Sequence, residues 1–237
     1  MQAIEPRKNV GELVVERPHL IPLFERLGID YCCGGRLSLE EACARKGLDA
    51  ASVAQTIDAF ESLQDGEQTA EPDWAKESLT ALCDHIEQTH HRYLAQELPE
   101  LGARVAKVAQ VHGGSDPGLH QVKAIFDDLA QELLDHLRKE EKLLFPLIRR
   151  LDNKEKLPPG VSVAAPIRQM ESEHAASGDA LAALRDLTRG FTAPPGACGT
   201  YRAMLAGLER LERDLHLHIH KENNILFPRA IARELAL

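Results

Sequence analysis

From about Lys76 onward, apolar residues recur in alternating steps of three and four, the pattern of helices that bury one stripe. Four long stretches follow it. The first runs from about Lys76 to Val111 and ends at His112-Gly113-Gly114. The second starts with Asp116 as N-cap and Pro117 in the first turn, and runs to about Leu151. The third spans about Ala165 to Arg189 and is ended by Gly190; the fourth spans about Thr200 to Leu235. Asn153–Gly160 and Thr192–Gly196 read as loops. Pro99, Pro146 and Pro228 lie inside these stretches and predict kinks. The expected fold is all-α, an up-down-up-down four-helix bundle.

The chain before the bundle has shorter periods. Val10–Glu16 and Leu20–Leu27 read as helices, the second ended by Gly28 as C-cap. Ser38 with Glu41 three residues later is a capping-box signature, and Asp49 can cap a helix running towards Leu63. Strand patterns are nearly absent. The polar, acidic stretch Gln64–Trp74 separates the two parts. The expected organisation is a small helical N-terminal domain over 1–65, a linker over 66–74 and the bundle over 75–237.

Composition narrows the function classes. The hydrophobic fraction is 43% and the charged fraction 27%, ordinary for a folded chain. The formal charge of −9 and the lack of a basic stripe argue against nucleic acid and anionic membrane as partners. No run approaches the roughly 18 apolar residues of a spanning helix, and the first ten residues have no apolar signal core. Five cysteines, an odd number, argue for a reducing cytoplasm. Histidine is the unusual residue: there are 11, and all but His19 follow residue 84.

Two stretches nearly copy each other. His136-Leu-Arg-Lys-Glu140 leads into Leu-Leu-Phe-Pro146, and His218-Ile-His-Lys-Glu222 leads into Ile-Leu-Phe-Pro228, 82 residues later. His91 and His174 stand 83 residues apart, each followed by Leu at the seventh and tenth positions. The bundle thus reads as two copies of one hairpin, with His on its first helix and His-x-x-x-Glu on its second. The seam Leu129, Leu133, His136, Glu140, Leu143, Leu147 puts His136 and Glu140 at core positions; Leu208, Leu211, Leu215, His218, Glu222, Ile225 does the same for the other pair.

Four imidazoles and two carboxylates facing one interior are costly without a compensating positive charge. Six ligands exceed what one tetrahedral zinc takes. Two metals with two histidines each and two bridging glutamates use all six, and this donor mix with open positions suits iron or manganese. The candidate ligands are His91, His136, Glu140, His174, His218 and Glu222. The ladder Leu79, Leu82, Ile86 points instead at His90, so His90 competes with His91. A rival set, Glu87-x-x-His90 and Glu171-x-x-His174, matches ferritin-like carboxylate sites and ranks second, because the other two helices carry His-x-x-x-Glu rather than a lone Glu. On the favoured reading Glu87 and Glu171 face solvent or support the ligands, and His85, His216 and His220 occupy exposed helix positions. A buried polar network without metal is the bland alternative.

Tyr31-Cys32-Cys33-Gly34-Gly35 follows the helix ended at Gly28. Adjacent cysteines close a strained ring if they pair with each other, so the pair reads as two thiols, a metal-ligand pair or a bonding site for partners. The glycines are expected to supply positive φ in an exposed turn. Nothing in this setting predicts thiols of lowered pKa, and two thiols packed in a small core is an equal reading. Cys43, Cys83 and Cys198 read as ordinary helix residues.

With these motifs, HLRKEEKLLFP, HIHKENNILFP, His91 before Leu98-Pro99-Glu100-Leu101, and Tyr31–Gly35, the chain resembles the di-iron iron-sulfur cluster repair family, also called repair of iron centres. The resemblance covers nearly the whole length: a short N-terminal domain, then a hemerythrin-like domain. It implies a non-haem di-iron centre, oxo- or hydroxo-bridged, on His91, His136, Glu140, His174, His218 and Glu222. It implies a cytoplasmic stress-response protein that repairs iron-sulfur clusters damaged by nitrosative or oxidative stress by donating iron. The partners implied are iron-sulfur proteins with damaged clusters, nitric oxide or O₂ as small ligands, and a second copy in a homodimer. Cys32 and Cys33 would serve in redox chemistry or docking. The alternative is nitric oxide or O₂ binding, sensing or scavenging without iron transfer, or nitric oxide reduction. Oxygen-carrying hemerythrins depart from this ligand pattern.

Overall fold

The computed structural model describes residues 7–63 and 72–237. Most of the stretch read as a linker therefore lies outside the described residues. The rest is helical, without a strand among the described residues beyond one isolated bridge between Asn9 and Ser38. Two compact units are present. One comprises the described residues up to Ser78 together with Ile219–Arg229; the other comprises Leu79–His218 with Ala230–Leu237.

In the first unit, α1 (Val10–Glu16), α2 (Ile21–Leu27), α3 (Leu39–Arg45) and α4 (Ala50–Leu63) surround a small core of Leu13, Phe24, Leu39 and Ile57. Local chemistry sets their ends. Gly28 adopts φ +65° and closes α2 with bonds to Glu25 and Phe24 carbonyls. Ser38 and Glu41 form the expected capping box on α3. The Asp49 carboxylate accepts the Ser52 N–H at 2.8 Å ahead of α4.

The bundle is built from α5 (Leu79–Ile86), α6 (Arg92–His112), α7 (Gly118–Lys139), α8 (Phe145–Asp152), α9 (Ala164–Leu187), α10 (Gly199–Lys221) and α11 (Phe227–Leu235). Three of its four rods are interrupted by a single π-helical turn: Glu87–His91 between α5 and α6, Glu140–Leu144 between α7 and α8, and Glu222–Leu226 between α10 and α11. Each widened turn inserts one residue and rotates the stripe that follows. This corrects the seam read along the second rod. Past Glu140 the buried residues are Leu144, Phe145, Ile148 and Leu151, whereas Leu143 is 62% exposed and Leu147 is half-exposed.

Two of these turns precede Pro146 and Pro228, whose rings crowd the carbonyl four residues back and offer it no N–H. The turn at Glu87–His91 has no proline after it; there the Thr89 hydroxyl donates to the His85 carbonyl, a bond that bends helices. Pro99 sits inside α6 without ending it. The N-cap of α7 falls on Pro117 rather than Asp116, although the Asp116 carboxylate still accepts the Gly118 N–H at 3.2 Å.

Candidate metal centre

The predicted ligands are held where the rods widen. His91 ends the first π turn, and Glu140 and Glu222 begin the other two, each one helical turn after its histidine. His174 lies inside α9. All six side chains are buried, and both glutamates have no exposed surface. Ligand atoms of His91, Glu140, His218 and Glu222 lie within 4.8 Å of one another, as do those of His136, Glu140, His174 and Glu222. Both glutamates belong to both groups, which is the arrangement of two cations sharing two carboxylates.

The spacing fits that reading. Glu140 Oε2 lies 3.4 Å from His91 Nε2 and 3.4 Å from His136 Nε2, and His174 Nε2 lies 3.1 Å from His136 Nε2. Neighbouring donors at right angles on a cation about 2.1–2.2 Å away stand about 3 Å apart. The donor set also fits the charge: two buried carboxylates facing four imidazoles call for cations between them.

Carboxylates outside this ring orient two of the histidines. His91 Nδ1 donates to Glu141 Oε1 at 3.0 Å, and His136 Nδ1 donates to Glu173 Oε2 at 2.8 Å. Each bond leaves Nε2 as the lone-pair nitrogen turned inward. Glu173 is itself bound by Lys139 and by Gln169. Burial alone would raise its pKa, but the bonds from Lys139, His136 and Gln169 outweigh burial and hold it below the usual carboxylate range. Sequence reasoning missed Glu141 and Glu173. The signal for Glu141 was present, since it adjoins Glu140, but nothing in the chain told which way it turned.

Both His90 and His91 are buried, and only His91 joins a cation group. His90 Nδ1 faces Asp214 Oδ1 at 2.9 Å, and its ring stacks on His218 with centroids 5.2 Å apart. In the rival set, Glu87 pairs with Arg149 at 3.0 Å and Glu171 is half-exposed; neither joins a cation group. The expectation for the remaining histidines needs correction. His220 is buried, and burial lowers its pKa to about 4; His85 and His216 are half-exposed. The helix carrying His220 turns that face to other protein surface rather than to water.

The cysteine loop also departs from expectation. Cys32 is buried and Cys33 only half-exposed. Gly34 and Gly35 are not among the positive-φ residues. Room, not φ, demands glycine there: a Cβ on Gly35 would lie 2.3 Å from Asn224 Oδ1, and one on Gly34 would lie 2.9 Å from the Asp30 carbonyl. The neighbouring Cys33 sulfur, burial and the Asp30 carboxylate push the Cys32 thiol up, so it stands protonated at neutral pH. Asn223 Nδ2 donates to the Cys32 carbonyl at 3.2 Å and Asn224 Nδ2 to the Tyr31 carbonyl at 3.1 Å. Cys43 and Cys83 are buried, whereas Cys198 is exposed with its sulfur 3.4 Å from His112 Nε2.

Known proteins share this plan. The hemerythrin HHE cation-binding domain model matches residues 84–230, and the ScdA_N model, a domain of unknown function, matches residues 6–61. The chain is 38% identical over 224 residues to the iron-sulfur cluster repair protein YtfE of Edwardsiella ictaluri, covering 94% of this chain and 96% of that protein. The proteins of the same name from Citrobacter koseri and Escherichia coli O8 are 39% and 38% identical, each over 95% of this chain and 97% of the relative. The HHE domain is a non-haem di-iron-binding domain, and the buried His/Glu groups described above fit a di-iron site. With both domain models matched in order and relatives aligned along nearly its whole length, the chain belongs to the YtfE family of iron-sulfur cluster repair proteins.

Proposed function

We propose that this protein repairs damaged iron-sulfur clusters by supplying iron from its dinuclear centre, with iron-sulfur proteins as its targets. His91 and His218 would hold one iron and His136 and His174 the other, with Glu140 and Glu222 available to both. The observation that carries this reading is the sharing of both buried glutamates between the two donor groups. When bound, the pair of irons supplies a redox-active, exchangeable metal source. The protein's own residues then do the rest: Glu141 and Glu173 orient the imidazoles, and the apolar walls of the bundle restrict water. Cys32 and Cys33 serve at the docking or redox end. That all five cysteines are free of disulfides supports a cytoplasmic setting. We infer a small helical N-terminal domain over 1–65, a linker over 66–74 and the bundle over 75–237.

The test starts from anaerobically purified protein beside a Glu140→Leu, Glu222→Leu variant. Near two irons per chain in the parent and loss in the variant support the centre. The iron-loaded protein is then mixed with an apo-ferredoxin and sulfide. Iron appearing in a new cluster, at the expense of the donor, supports repair. Reversible binding of nitric oxide or O₂ with all iron retained would favour sensing or scavenging, and catalytic nitrous oxide formation would favour a reductase. Cys32→Ser with Cys33→Ser should keep its iron and lose repair.

A further inference from the structure

The loop from Asp30 to Gly35 gathers metal-type donors apart from the dinuclear centre. Cys32 Sγ lies 3.8 Å from Cys33 Sγ and 3.3 Å from Asp30 Oδ1, and donor atoms of all three residues lie within 4.8 Å of one another. A disulfide would bring the sulfurs to about 2.0 Å, so the pair is a dithiol. Two thiolates on a tetrahedral cation, each about 2.3 Å from it, stand about 3.8 Å apart, and a carboxylate oxygen at about 2.0 Å stands about 3.5 Å from each sulfur. The separations from the Cys32 sulfur to the Cys33 sulfur and to the Asp30 carboxylate are close to these, and the Cys33 sulfur lies within 4.8 Å of the same carboxylate. We propose that Asp30, Cys32 and Cys33 bind one thiophilic divalent cation of the zinc(II) or iron(II) class, with the fourth tetrahedral position open.

The donors are held before any cation arrives. Asp30 Oδ1 accepts the N–H groups of Cys32 at 3.1 Å and Cys33 at 2.9 Å, and Oδ2 accepts that of Gly34 at 2.9 Å. These bonds fix the carboxylate against the sulfurs. From the other side, Asn223 and Asn224 hold the Cys32 and Tyr31 carbonyls, and Gly11 and Gly35 leave room for Asn224. The loop is thereby fastened to the residues that follow Glu222.

The repeat makes Asn223 informative. It stands 82 residues after Glu141, the carboxylate that orients His91, so the second copy has an amide there that serves the cysteine loop instead. Binding converts two thiols to thiolates, and both protons leave to the buffer while the dication offsets two of the three negative charges. Cys33 is half-exposed, so the loop is open to solvent at one sulfur. The assignment does not depend on cluster repair.

The test uses the full chain with its dinuclear centre loaded with iron and its thiols reduced, titrated anaerobically with cobalt(II). The expected result is one equivalent bound with a thiolate-to-cobalt charge-transfer band, displaced by zinc(II). Cys33→Ala, at a half-exposed position, should abolish the band, and Asp30→Asn should weaken binding at least tenfold. Iron content and helical circular dichroism should be unchanged in both, which separates this site from the dinuclear one. No charge-transfer band in the parent, or the same band in Cys33→Ala, overturns the proposal and leaves two packed thiols.

Discussion

Glu173 reaches across from α9 to hold the Nδ1 edge of His136 on α7 at 2.8 Å, while the other edge of the same ring turns to Glu140. The metal-facing nitrogen of one rod is thus set by a carboxylate of another. Glu173→Ala should lower iron affinity about 10- to 100-fold with the helix content unchanged. Competition with a chelator of known strength measures it. An affinity equal to the parent's would show that packing alone orients His136.

The two donor groups are not equally sensitive to each ligand. Glu140 belongs to both groups and His174 to one. Glu140→Ala is expected to empty both positions, whereas His174→Ala should retain close to one iron per chain. Elemental analysis after identical purification separates the two. Equal loss in both variants would mean that the irons are held only as a pair.

Gly35 is a requirement of space. Its missing Cβ would meet Asn224 Oδ1 at 2.3 Å and the Tyr31 carbonyl at 2.9 Å. Gly35→Ala should therefore destabilise the protein by about 1–3 kcal/mol, in the range of overpacking. Adding Asn224→Ala should recover only part of the loss, because the backbone contact remains. Thermal unfolding of the single and double variants reads this. Full recovery would place the whole effect in Asn224.

Asp152, the last residue of α8, accepts the Thr80 N–H at 3.0 Å and so caps α5. Burial pulls its pKa up, but the bonds from Thr80 and Leu79 and the charge of Arg233 leave it lowered. A lowered carboxylate stabilises the fold above its unfolded pKa of about 3.9, and that contribution is lost as pH falls through the folded value. Asp152→Ala should cost about 1 kcal/mol at pH 7, and the gap to the parent should close in acid. Denaturant titrations of the two metal-free proteins at pH 7 and below pH 4 measure it. A gap independent of pH would assign the loss to packing.

Much of this architecture was legible in the chain. Steps of three and four apolar residues marked the rods, and Gly28, Ser38 and Asp49 marked ends where local chemistry decides. The six candidate ligands were readable because the hairpin repeats itself, and a His-x-x-x-Glu spacing places both groups on one helix face however the rest packs. Three things needed the folded molecule. The π turns shift each seam by one residue, so the ladder that named Leu143 as core was right up to Glu140 and wrong beyond it, and the conflict between His90 and His91 came from the same inserted residue. Glu141, Glu173 and Asp214 took their partners from other rods, across 50, 37 and 124 residues of chain, and no local pattern encodes such a meeting. The burial of Cys32 and His220 and the crowding at Gly35 arise where two distant segments press together. Periodicity reports which face of a helix is buried; what that face meets is decided only when the chain has closed on itself.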